Sequence, residues 1–139
     1  MKTRILCAIM LFVASHAAIG ALEKDWTPKK FAAFGQGWYA ICSLEGMNSA
    51  YGYDPALIDQ FKQCVKDAQD NIKLALAQVK TKMANGGAVA AAKNYYAAFT
   101  VACDELMQVP LLPPEVGQAR VAITTTKLKE LAAKFEAEL

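Results

Sequence analysis

Two cysteines bracket the stretch CSLEGMNSAYGYDPALIDQFKQC, and a turn signal, YGYDP, sits at its middle. With the turn placed at Tyr53, Cys42 lies eleven residues before it and Cys64 eleven after. Two helices folded back on each other there hold both thiols at one height. A disulfide needs Cα atoms about 4.4–6.8 Å apart, which such a hairpin meets. The closed loop of about 22 residues then contributes roughly 3 kcal/mol through loop-closure entropy.

A third cysteine, Cys103, offers other pairings. Folded about Gly86, Cys64 and Cys103 lie 22 and 17 residues from the turn. At about 1.5 Å per residue their heights differ by roughly 7–8 Å, which strains a bond. Cys42 with Cys103 joins helices that are diagonal in a simple up-and-down bundle. Cys42–Cys64 is therefore the expected staple. Cys103 is then a buried small hydrophobe, or a free redox or dimerising thiol. No CxxC and no neighbouring cation argues for an activated thiol.

The N-terminus carries an address. Lys2 and Arg4 precede the apolar run ILCAIMLFVA, and the small residues of SHAAIGA follow it. That order predicts a cleaved secretory signal peptide over residues 1–20, with cleavage after Ala17 or Gly20. The run is too short for an ordinary membrane span of about 20 apolar residues. Cys7 sits too early within it to be a lipidation site. A single domain is expected over residues 21–139. Export leads to an oxidising compartment, periplasmic or extracellular, where disulfides persist.

Loss of the leader changes the inventory. The 15 basic residues fall to 13 without Lys2 and Arg4, and balance 13 acidic ones. A neutral chain with no basic block carries no electrostatic footprint for nucleic acid. The one histidine, His16, also belongs to the leader. A mature chain without histidine has no Ser-His-Asp or Cys-His pair and no imidazole for a metal or haem. No cofactor and no catalytic residue are expected. GQG at 35–37 is no phosphate loop, because the P-loop lysine and a preceding strand are missing.

The remaining chain is punctuated as helices. Thr27-Pro28 and Asp54-Pro55 each pair a capping side chain with proline at the first helical position. Phe31, Phe34, Trp38, Ile41 and Cys42 share one face of the first segment. Gly35 and Gly37 weaken it by about 1 kcal/mol each and permit close helix approach. In the second, Leu57, Phe61, Cys64, Ala68, Ile72, Ala75 and Val79 recur at three- and four-residue steps up to Met83. Asn85-Gly86-Gly87 reads as its C-terminal stop. A third segment, 88 to 108, aligns Tyr96, Phe99, Ala102, Cys103 and Leu106; a fourth, opened by Pro114, aligns Leu128, Leu131, Phe135 and Leu139. The strand-like runs TVACDELM and VAITTT sit inside helical periodicity. The expected fold is all-α, a four-helix antiparallel bundle.

Two stretches stand out as interface. Tyr51 and Tyr53 fall at the hairpin tip, and Leu111 and Leu112 lie in the proline-framed loop MQVPLLPPEV. Exposed tyrosines are common interface anchors. Glu45 falls near the first apolar stripe and is read as flanking the core. Asp104 and Glu105 are adjacent, so they diverge on a helix and form no catalytic carboxylate pair. The expected function is non-catalytic binding of another envelope or extracellular protein, as an inhibitor, an immunity-type protector or a small chaperone. The alternatives are a carrier of a small apolar ligand and a redox or dimerising protein acting through Cys103.

Overall fold

A computed structural model describes residues 26–52 and 54–139, without the side chains of residues 51 and 52. The expected signal peptide lies outside the described residues. Four helices account for most of what is described: α1 (Pro28–Gly52), α2 (Pro55–Lys80), α3 (Gly86–Leu106) and α4 (Pro114–Ala137), with a 3-10 turn at Val109–Leu111 before α4. There is no strand among the described residues. TVACDELM and VAITTT are both helical, within α3 and α4.

The helix ends follow from local chemistry. Asp54 stands in extended conformation and its carboxylate accepts the Ala56 N–H at 2.9 Å, with Pro55 at the first helical position. Asn85-Gly86-Gly87 departs from expectation. It opens α3 rather than stopping α2. Asn85 is extended (φ −106°), and its side-chain oxygen accepts the Gly87 N–H at 2.7 Å. α2 ends earlier, at Lys80, where Thr81 caps it with an ordinary right-handed backbone. The asparagine is thus used as an N-cap, the role its side chain serves at least as well as a left-handed turn.

The connections are short, and each turns the chain back to pack on the preceding helix. α1 packs on both α2 and α4, and α3 on both α2 and α4, in a bundle-like arrangement. α1 also touches α3 directly, so the diagonal between them is the short one. Gly35 explains this. Tyr95 of α3 lies over it so closely that a Cβ there would sit 2.6 Å from the phenol oxygen and 2.9 Å from the ring. The same phenol donates a hydrogen bond to the Ala32 carbonyl at 2.9 Å. A second close contact lies on the α1–α2 side, where a Cβ on Gly46 would sit 2.7 Å from the Phe61 ring. Gly37 has nothing within 4 Å of its missing side chain. Of the two glycines in GQG, only Gly35 enables an approach.

Aromatic rings fill the space so created. Phe31 meets Tyr95 and Phe135 edge-on, both at 5.7 Å between centroids, and Tyr95 stacks on Phe99 at 6.5 Å. These four rings join α1, α3 and α4 and are all fully buried. Each such side chain contributes about 1.5–3 kcal/mol relative to an exposed one. The sequence stripe on α3 holds at Phe99, Ala102, Cys103 and Leu106, which are buried, and misses only at its start, where Tyr95 is buried and Tyr96 half-buried. Leu57 and Leu139, read as core, are exposed; each stands near a helix end.

The Cys42 and Cys64 sulfurs lie at disulfide distance, 2.10 Å, with Cα atoms 5.6 Å apart. Both cysteines are buried between α1 and α2. Replacing both with serine is expected to cost about 3 kcal/mol, read as a lower urea midpoint with a slope that rises as the unfolded chain expands. Gly35→Ala is expected to lose about 1–3 kcal/mol by overpacking against Tyr95. Gly37→Ala should instead gain about 0.5–1 kcal/mol from helix propensity alone. Equal effects at the two glycines in the same denaturation assay would contradict the close-approach reading.

Candidate protein-binding interface

The two ends of the bundle differ in how they are held. One end collects the segment before α1, the α2–α3 connection and the C-terminus. There Trp26 is buried and its ring meets Phe34 edge-on at 4.3 Å. Lys82 donates a hydrogen bond to the Trp26 carbonyl. Asn85 Nδ2 donates to the Glu138 carbonyl at 3.2 Å, and the Glu138 carboxylate lies against Gly87. A carboxylate beside the first turn of α3 also complements the helix dipole. Three chain segments therefore lock one another.

The other end collects the α1–α2 connection and the 107–113 loop. This is where both sequence-selected stretches fall. Tyr53 and the Tyr51 side chain lie outside the described residues, but the helix ends that frame them, Gly52 and Pro55, belong here. The loop is anchored from below by Val109, which is buried, packs near Gly117 of α4 and brings the 3-10 turn against α1. Above that anchor Leu111 is 78% exposed, while Leu112 is half-buried. Pro110 lies within the 3-10 turn and Leu112 is extended ahead of Pro113 and Pro114, so the chain does not continue the α3 helix here.

The exposed large hydrophobics are not scattered. Of the eight among the described residues, Leu44, Leu57, Val101, Leu111, Val116 and Ile123 lie in the loop-end half of their helices or in the loop itself. Only Leu74 and Leu139 lie toward the locked end. Part of this surface forms a groove between α3 and α4, lined by Glu105, Val116, Ala119, Arg120, Ile123 and Thr124. A smaller one lies between α1 and α4, with Gly37, Ala40, Leu128 and Lys129 on its walls. Sequence reading found Leu111 and Leu112 but missed Val116 and Ile123. Their signal was present as a second stripe on α4, at Val116, Ala119, Arg120 and Ile123, offset from the buried one.

Several other aromatic side chains turn inward. Trp38, Tyr39 and Tyr95 are buried. The Tyr39 phenol shares side-chain hydrogen bonds with Thr124 of α4 and Ser43 of α1, and burial raises its pKa above the ordinary value. Ser43 Oγ also donates to the Tyr39 carbonyl at 2.6 Å. These hydroxyls tie α1 to α4 beneath the surface. Glu45 is half-buried on α1. Asp104 accepts from Gln69 Nε2 of α2 at 3.0 Å, while Glu105 points into the α3–α4 groove, so the adjacent carboxylates diverge.

Cys103 is the free cysteine among the described residues, and it is 1% exposed. Burial, reinforced by the neighbouring Asp104 charge, pushes its thiol pKa up to about 12. The thiolate is the reactive form, so this position disfavours both redox chemistry and an intermolecular bond.

Comparison of the chain with protein-family models, with curated proteins and with solved structures found no match.

In the native protein, Cys103 should resist thiol reagents at neutral pH and label at once on denaturation. Fast native labelling would overturn its placement. A thiol raised in the folded state stabilises fully below its unfolded value of about 8.5 and loses that contribution as pH climbs toward the folded value. Stability of the wild type should therefore fall between pH about 8.5 and about 12, and more steeply than that of Cys103→Ala. Urea midpoints across that range check the sign.

Proposed function

We propose that this protein is an exported, disulfide-stapled antiparallel four-helix bundle that acts without catalysis, by binding another protein at its loop end. The observation that carries this reading is that six of the eight exposed large hydrophobics among the described residues fall in the loop-end half, with Leu111 the most exposed. Contiguous exposed apolar surface commonly marks an interaction site on a soluble domain. The opposite end is closed by Trp26, Asn85 and Glu138 and supplies the rigid base that such a surface needs.

The leader-like N-terminus and the bonded Cys42–Cys64 pair agree with export into an oxidising compartment. No helix of the described residues is long and apolar enough to cross a membrane. The apolar helix faces are occupied by Phe31, Tyr95, Phe99 and Phe135 in ring contact, which favours binding at the surface over carriage of an apolar ligand inside. Burial of Cys103 likewise favours binding over thiol chemistry.

Affinity capture from an envelope or extracellular extract should return one stoichiometric partner with the wild type. Leu111→Asp should lose it while keeping the same thermal stability, because the side chain is 78% exposed. Leu74→Asp, on the other half of α2, should keep it. Capture that is indifferent to Leu111, or no partner in repeated trials, contradicts the reading.

A further inference from the structure

The α3–α4 groove differs from the rest of the apolar surface in its charges. Val116, Ala119, Arg120 and Ile123 follow one another at i, i+3, i+4 and i+7 and so form one stripe along two turns of α4. This stripe is distinct from the buried one of Gly117, Thr124, Leu128, Ala132 and Phe135. Ile123 is 71% exposed and Val116 is exposed as well. Glu105 faces the stripe from α3. Among the described residues neither Glu105 nor Arg120 forms an ion pair. The groove thus places one charge of each sign beside an apolar strip. The complementary surface carries the same pair in exchanged positions, which a two-fold copy of this chain does by symmetry.

We propose that the α3–α4 groove is a self-association surface, occupied by α4 of a second copy in antiparallel orientation. The midpoint between Val116 and Ile123 falls at Ala119 and Arg120. A two-fold axis there sets Val116 against the partner's Ile123, and Ile123 against the partner's Val116. Ala119 is small and lets the two helices approach. Arg120 meets the partner's Glu105, and the partner's Arg120 meets Glu105, so every contact occurs twice. The strip is only about 10 Å long at 1.5 Å per residue. A standard interface covers about 800 Å² per partner, so the association is weak and concentration-dependent. It goes beyond the loop-end reading and does not rest on it, because Leu111 does not line this groove.

Sedimentation equilibrium of the purified oxidised protein, from micromolar to millimolar concentration, tests it. The average mass should rise from one chain toward two. Ile123→Asp should hold it at one chain throughout, and circular dichroism should show that this variant remains folded. Glu105→Arg alone should weaken association at least about tenfold, as like charges then meet. Adding Arg120→Glu should restore it, because the exchanged pair is again complementary. Leu111→Asp should leave the mass curve unchanged. A wild type that stays a single chain at millimolar concentration overturns the proposal. So does a dimer that survives Ile123→Asp, or a double reversal no tighter than Glu105→Arg alone.

Discussion

The bundle depends on how close α1 comes to α3. In a square of four helices the diagonals are long and leave a central channel to fill. Here Tyr95 closes one diagonal by lying on Gly35, where any side chain would collide with it. Its hydroxyl, taken from water, finds the Ala32 carbonyl, so burial leaves no unmatched donor. The ring then becomes the hub on which Phe31 and Phe99 pack, and Phe31 in turn reaches Phe135 at the end of α4. One missing Cβ on α1 thus sets the position of α3 and, through the rings, of α4.

A second constraint holds the opposite half. Cys42 and Cys64 join α1 to α2, and a few residues nearer the loop end Gly46 receives the Phe61 ring. The two locks divide the work. Aromatic packing and terminal hydrogen bonds secure the end near Trp26 and Glu138, while the sulfur pair and the Gly46–Phe61 contact secure the half that carries the loops. This division explains how the loop end can expose leucine, valine and isoleucine. Its stability does not require them inside. Side chains that would be costly on the surface of a marginal bundle are tolerated where a covalent link and a snug glycine contact already fix the backbone.

Much of the fold could be read in advance, and the failures are informative. Proline after a capping side chain announced α1 and α2, because proline lacks the N–H that a first turn leaves unused anyway. Equal spacing about the turn announced the cysteine pair, because helical rise is constant. The NGG stretch was misassigned because asparagine serves both helix starts and helix stops, and only the Asn85–Gly87 hydrogen bond decides between them. Tyr96 was chosen over Tyr95 because adjacent tyrosines differ by only about 100° on a helix. Which of them faces inward depends on where Gly35 opens a space. The α4 surface stripe was passed over because two apolar stripes share that helix, and periodicity alone does not say which one meets the core.

The sequence by itself determined that this chain is helical, how many helices it has, where they turn and which thiols can meet. It also determined that residues 21–139 contain no histidine and so carry no histidine chemistry. These are consequences of local backbone preference, of regular rise and of composition. Only the tertiary structure decided that one diagonal is short, that Cys103 and the inner tyrosines are shut away, and that the exposed apolar side chains gather at one end. Those outcomes depend on which faces find a partner, and a residue's burial is set by the element opposite it rather than by its own neighbours in the chain.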